Sequence, residues 1–143
     1  MPKSDTTRQK PLPQCKAFLL CERVAQDDAT GQLTLHKLIE VLQFPAFPAD
    51  SIPFVVFVQL YDGIGRYQLA IEIRDLVGDT SIRVALLSNL EFPERLAKMD
   101  LVLPIEFVRL PREGRYEFAV VLDGEELASQ PINAELSNGR ESA

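Results

Sequence analysis

The residues of this chain that could do chemistry are few, and they form no recognisable catalytic pattern. His36, in LTLHKL, is the only histidine, so a Ser–His or Cys–His nucleophile pair would have to use it. Its position in a predicted strand groups it with Thr34 and Glu40, and no motif flanks it. We therefore expect a solvated strand histidine. One histidine and two cysteines also fall short of the four ligands of a structural zinc site.

Carboxylates are the other candidates. Glycoside hydrolysis needs two carboxylates facing each other, and the predicted strands offer Glu72, Glu106 and Glu117, as any acidic β-protein would. Aspartates in predicted turns favour local hydrogen bonds, with a calcium site between adjacent loops as a minor alternative. No glycine-rich phosphate loop or P-loop lysine occurs in the sequence. We predict no catalytic residues, no cofactor and no metal.

Composition narrows the class of protein. A length of 143 residues with 46% hydrophobic content predicts one folded domain. A net charge of −6 argues against nucleic acid as a partner, because phosphate binding needs a clustered basic face. The N-terminal stretch lacks the apolar run of a secretory signal, and no run is long enough to span a membrane. We expect a cytoplasmic protein with no membrane partner.

The expected state of the two cysteines is consistent with a cytoplasmic location. Cys15 and Cys21 lie on one predicted strand, on the same face but about 20 Å apart, which is too far for a disulfide. We expect free thiols that pack as small hydrophobic groups.

Strand signals dominate the chain between a polar arm, 1–13, and a polar tail, 137–143, both expected to be flexible. Alternation of apolar and polar residues, separated by turn residues, predicts about eight strands. They are 15–24, 33–42, 54–61, 66–75, 80–90, 99–108, 115–124 and 125–136. Asp123-Gly124 is a favoured pair for a tight hairpin turn. The predicted domain, 14–136, is an all-β antiparallel sandwich of immunoglobulin-like or jelly-roll type.

One strand–turn–strand pattern occurs twice, as FVQLYDGIGRYQLAI at 57–71 and FVRLPREGRYEFAV at 107–120. In each copy a glycine precedes an inward tyrosine, which suits a positive φ at the end of the turn. Convergence on one packing solution is favoured. A duplication that places related hairpins in two sheets is the alternative.

Two strands, AFLLC and FVVFV, are apolar on both faces, so something must cover their outer side. The segment FPAFPAD could fold over them, or a second copy or a partner protein could pack there. The candidate interaction residues are Phe44, Phe47, Phe18, Leu20, Val55 and Phe57.

The ordered elements from 17 to 136 resemble an uncharacterised family of small bacterial proteins, a domain of unknown function. They are Cys21-Glu22, Thr30-Gly31, Leu35, Phe47-Pro48 and the hairpin from Pro111 to Tyr116. The resemblance implies a cytoplasmic β-sandwich and brings no activity with it.

The function that this sequence favours is a non-enzymatic protein-binding or scaffolding module, whose partner is another protein or a second copy in a homodimer. The alternative is a small-ligand binder for carbohydrate or lipid, although the chain has no tryptophan and only three tyrosines to stack on sugars. A hydrolase that uses strand carboxylates near His36 comes third.

Overall fold

The structure is a computed structural model that describes residues 11–94 and 97–137. These residues form eleven strands and no helix, so the predicted all-β class is confirmed. The strands are β1 Gln14–Gln26, β2 Leu33–Leu38, β3 Val41–Phe44, β4 Ala49–Asp50, β5 Phe54–Tyr61, β6 Gly65–Asp75, β7 Thr80–Phe92, β8 Lys98–Ile105, β9 Arg109–Leu110, β10 Gly114–Leu122 and β11 Glu125–Leu136. Nowhere in these ranges is there a helix long and apolar enough to cross a membrane.

Most of the predicted arm and tail lies outside the described residues. Residues 11–13 and Ser137 are described, and Pro13 is buried.

The strands form three sheets. A four-stranded sheet has the order β2-β1-β5-β8 and is antiparallel throughout. A five-stranded sheet has the order β3-β11-β10-β6-β7 and is antiparallel except where β3 runs parallel to β11. The short strands β4 and β9 pair with each other. The structure has three more strands than the eight predicted, and the additional ones are short, with two to four residues each.

The two larger sheets contribute to one core. The inward residues of β5 include Phe54 and Val56, and those of β10 include Phe118 and Val120. Phe54 and Phe118 meet edge to face with ring centroids 5.9 Å apart, a favoured geometry for aromatic pairs. Each central strand therefore buries one full side in this core.

The predicted strand 33–42 is wrong as a single element, because the chain changes sheets within it. β2 pairs with β1, whereas β3 pairs with β11 in the other sheet. The crossing keeps its hydrogen bonds, since Ile39 N donates to Leu20 O at 2.8 Å and Asn133 N donates to Glu40 O at 3.2 Å. Strands that switch sheets in this way make the corners of layered β-structures.

A bulge in β1 changes the face of the first cysteine. The register passes from Cys15 opposite Leu60 to Ala17 opposite Gln59, which leaves one extra residue on β1. Cys15 therefore packs against the core with Leu60, while Cys21 lies on the other face of the sheet. The prediction that the two cysteines share a face is wrong. Both are free, as predicted.

The repeated pattern has a structural role. Its second strands are β6 and β10, antiparallel neighbours in the five-stranded sheet, so an arrangement with one hairpin in each sheet is wrong. Gly65 and Gly114 open these strands with φ of 81° and 147°, values that a residue with a Cβ rarely adopts.

The two tyrosines of the repeat are buried, and their hydroxyl groups close the ends of the core. Tyr67 Oη accepts from Ile64 N at 2.8 Å and donates to Pro11 O at 2.9 Å. Tyr116 Oη donates to Arg112 O at 2.8 Å and accepts from Arg112 Nη1 at 3.3 Å. Each tyrosine thus packs its ring in the core, and its hydroxyl group is hydrogen-bonded to a residue of the preceding turn.

We predict that Tyr116→Phe lowers the free energy of unfolding by about 1–3 kcal/mol, because the Arg112 carbonyl loses its donor next to a side chain that is 1% exposed. Tyr61→Phe is the matched control. Its ring, which faces Lys16 Nζ at 5.2 Å, is retained, so we expect a change within about 0.5 kcal/mol. Urea denaturation monitored by circular dichroism measures the free energy of unfolding of both variants. Equal losses would contradict a specific role for the Tyr116 hydroxyl.

Candidate functional site

The outer face of the four-stranded sheet carries two neighbouring rows of apolar residues. Residues directly opposite each other in antiparallel strands share a face, so the register defines each row. The first row crosses all four strands and the second crosses three. The apolar rows are Leu38, Cys21, Val55 and Pro104, followed by Leu19, Phe57 and Val102.

Part of this surface is accessible. Leu38 is 57% exposed and Val102 is 41% exposed. Pro104 is exposed, and Leu19 and Val55 are half-buried. Contiguous exposed apolar groups on one face are a feature of protein interaction sites, whereas single exposed ones are common everywhere.

The next two rows of the same face are polar. Gln59 Nε2 donates to Asp100 Oδ1 at 2.9 Å, and Lys98 Nζ donates to Asp100 Oδ2 at 3.0 Å. The hydrogen bond with Asp100 is the main cause that raises the pKa of Lys98. Tyr61 lies beside them on β5, opposite Lys98. The outer face is therefore apolar at one end and polar at the other.

A groove of about 690 Å³ lies over the polar end. One wall is the stretch 30–35, which leads into β2, and the opposite side is formed by Phe57, Gln59, Lys98 and Asp100. Phe57 points outward but is only 6% exposed. Its burial shows that the outer face is not a flat open surface at this point.

Four of the six predicted interaction residues are buried within the chain itself. Phe18, Leu20 and Phe44 belong to the core, and Phe57 lies under the groove. The prediction that these four side chains are accessible to a partner is wrong. For Phe18 and Leu20 the error comes from parity, because both faces of β1 are apolar and alternation alone does not say which one points inward. Phe44 lies on β3 with its side chain in the core, and Phe57 points outward but is covered.

Phe47 and Val55 are half-buried. The Phe47 ring packs against Phe44 with centroids 4.8 Å apart, and Val55 lies in the first apolar row. Sequence reasoning missed Leu19, Leu38, Val102 and Pro104. Strand β8 could have indicated two of them, because Val102 and Pro104 alternate with Leu101 and Leu103 and make both of its faces apolar.

The structure does not bring the hydrolase candidates together. His36 lies on β2 opposite Arg23, whereas Glu72 and Glu117 lie on the five-stranded sheet. There Arg74 contacts Glu117 at 3.3 Å and Glu72 at 3.9 Å, and it also bonds Glu126 at 2.6 Å. Within 11–94 and 97–137 no three or more His, Cys, Asp or Glu residues are grouped so that they could hold a metal ion.

The most perturbed carboxylate is Asp75, at the end of β6. Arg112 binds it with both terminal nitrogens, at 2.7 and 2.8 Å, and Val77 N and Gly78 N donate to it at 3.1 and 3.0 Å. These bonds, with that to Arg112 the largest cause, lower the pKa of Asp75 to about 2. Its oxygens already accept four hydrogen bonds, so the pair ties two turns together and leaves little capacity for chemistry.

Comparison with known proteins gives a family and no activity. The model described as "Family of unknown function (DUF6941)" matches residues 16–135. The predicted resemblance to a family of unknown function is confirmed. No curated protein matches the chain.

Solved structures give only distant likenesses. A β-glucosidase from Listeria innocua is 9% identical with a TM-score of 0.48, over 83% of this chain and 16% of the glucosidase chain. The alkylpurine DNA glycosylase AlkC from Pseudomonas fluorescens, bound to DNA containing an abasic site analog, is 14% identical with a TM-score of 0.43, over 66% of this chain and 27% of that chain. This chain thus spans only a small part of either protein, and neither likeness carries an argument about function.

We predict that the Asp75–Arg112 pair stabilises the fold above about pH 4 and that this contribution is lost as the pH falls towards 2. The sign follows because the folded-state pKa, about 2, lies below the unfolded value of about 3.9. Free energies of unfolding measured between about pH 5 and pH 2 should therefore fall more steeply for the wild type than for Asp75→Asn. Asp28→Asn, in an exposed loop, controls for the removal of one charge. Parallel curves for the wild type and Asp75→Asn would contradict the role of the pair.

Proposed function

Since the chain belongs to the family of unknown function DUF6941, which brings no activity with it, we propose a function from the surface: a non-enzymatic, cytoplasmic module that binds another protein. The binding surface is the outer face of the four-stranded sheet. A second copy of the chain is one form that this partner can take.

The observation that carries this proposal is the pair of apolar rows. Leu38 and Val102 are large apolar side chains left open to water on a face that also holds Leu19, Val55 and Pro104. Burial of such groups against a partner is favourable by about 25 cal/mol for each Å² removed from water. An interface centred there would bury an apolar patch that is bordered on one side by polar groups such as Asp100 and Lys98.

The other sheet supports the choice by contrast. On the outer face of the five-stranded sheet Ala70 and Ala119 are small and buried. One apolar row, Leu86, Ala70 and Val121, crosses this face, and Leu86 is its one exposed large side chain. Around them Arg74 pairs with Glu72 and Glu117. Polar, ion-paired rows are typical of a sheet face that meets water.

The architecture is compatible with this role. We infer that the two larger sheets form a sandwich of immunoglobulin-like or jelly-roll type, because one face of each contributes to the same core. Sandwiches of this kind offer their faces and edges to partners while the core stays intact.

A tagged pull-down from native host lysate, with mass spectrometry and then a measured affinity, tests the proposal. We expect one reproducible protein partner, or the chain itself, and at least about a tenfold loss of affinity for Val102→Asp and Leu38→Asp, since each puts a charge into an apolar contact. Leu86→Asp is the matched control. Leu86 is 43% exposed, close to the 41% of Val102, but it lies on the five-stranded sheet.

The control variant should bind as well as the wild type. A partner that is captured equally by all variants, or lost only with Leu86→Asp, would contradict the proposed surface. Circular dichroism of each variant shows whether a loss of binding reflects unfolding.

A further inference from the structure

Strand β2 has a free edge, and the hydrogen-bond pattern identifies which of its residues face it. Among residues 11–94 and 97–137, β2 is the last strand of its sheet, with β1 on one side only. Asp27 N donates to Gln32 O at 2.9 Å. This bond joins the residue after β1 to the residue before β2, in the same register as the strand pair, so Gln32 is a hydrogen-bonded position. In an antiparallel pair such positions alternate. Leu33 and Leu35 therefore turn their N–H and C=O groups away from β1.

These two residues border the groove defined above. Leu33 and Leu35 both line it, together with Gln59 and Asp100 on the opposite side. The groove thus combines a strand edge with no neighbouring strand in the described part of the chain and a wall of polar side chains. Its volume of about 690 Å³ is within the usual range of sites that hold a ligand.

The charge of the opposite wall indicates what can lie in the groove. Lys98 and Asp100 are paired with each other at 3.0 Å, and Gln59 is neutral. A wall in which charge is balanced favours a neutral chain of hydrogen-bonding groups over a phosphate chain or a lone ion. A peptide backbone is such a chain, and it supplies the donors and acceptors that a strand edge lacks.

We propose that an extended peptide segment of a partner protein binds in this groove as an added strand on β2, with its backbone bonded to Leu33 and Leu35. The side chains on one face of the added strand lie towards Gln59, Lys98 and Asp100. The inference rests on the proposed protein-binding function and names the mode of recognition on the same sheet face.

Other edges fit such a strand less well. The free edge of β7 belongs to a strand of 13 residues, but two register shifts interrupt its pairing with β6, and bulges of this kind twist an edge away from new partners. On β8, Pro104 has no N–H to offer. β2 has neither a bulge in its pairing with β1 nor a proline.

The test selects binders from a displayed library of random short peptides on the full-length wild-type protein and then compares two variants. Leu35→Pro removes the outward N–H at a position where edge strands tolerate proline, and Leu35→Val keeps that N–H. We expect a fall in affinity of about tenfold or more for Leu35→Pro and little change for Leu35→Val.

A second measurement does not depend on whether the proline variant folds. A selected peptide is methylated on one backbone nitrogen at a time and measured against the wild type. Strand addition predicts losses of about tenfold or more at alternate positions and little change between them. Equal effects at all positions, losses only from side-chain changes, or no selected peptide would overturn the proposal.

The result separates the two proposals. A natural partner that is lost with Val102→Asp, while peptides show no alternation, would remove the added strand and leave the protein-binding function in place. If no natural partner depends on Val102 and the peptides also show no alternation, the protein-binding function falls together with the added strand.

Discussion

The pairing of β1 is the constraint on which the rest of the structure depends. Its 13 residues need hydrogen-bond partners along their whole length, because unpaired backbone groups are costly. β5 pairs with the first part as far as Cys21, and β2 pairs from Cys21 onward. The second half of β1 must therefore extend beyond β5 as a hairpin. The groove, the free edge of β2 and the crossing to the other sheet all follow from that extension.

The same strand decides which apolar face becomes the core. The bulge after Cys15 adds one residue to β1 and turns Phe18 and Leu20 inward against the same core as Phe118. Leu19 and Cys21 consequently face outward. Because a shift of one residue moves every side chain of a strand to the other face, this single extra residue determines which set of side chains faces outward.

Much of the fold could be predicted from the sequence, and the candidate site could not. Strands such as 66–75 alternate apolar and polar residues, so their existence and their inward face follow from period two. The Asp123-Gly124 turn was predictable because both residues take positive φ there, 49° and 84°. In β1 and β5 both faces are apolar, and hydrophobicity then carries no information about direction. The change of sheet at 39–40 depends on partners that lie far away along the chain, which local pattern does not encode.

The two outer faces differ in a way that folding alone does not require. Exposed side chains as large as Leu38 and Val102 add little to stability and promote association, so a face kept only for folding would gain solubility from polar residues there. The chain uses that solution on much of the five-stranded sheet, where Arg74 and its glutamates face water and Leu86 is a large exposed apolar side chain. A protein with a net charge of −6 has no shortage of polar residues. The apolar rows beside the edge of β2 are therefore the feature on which the proposed binding function rests.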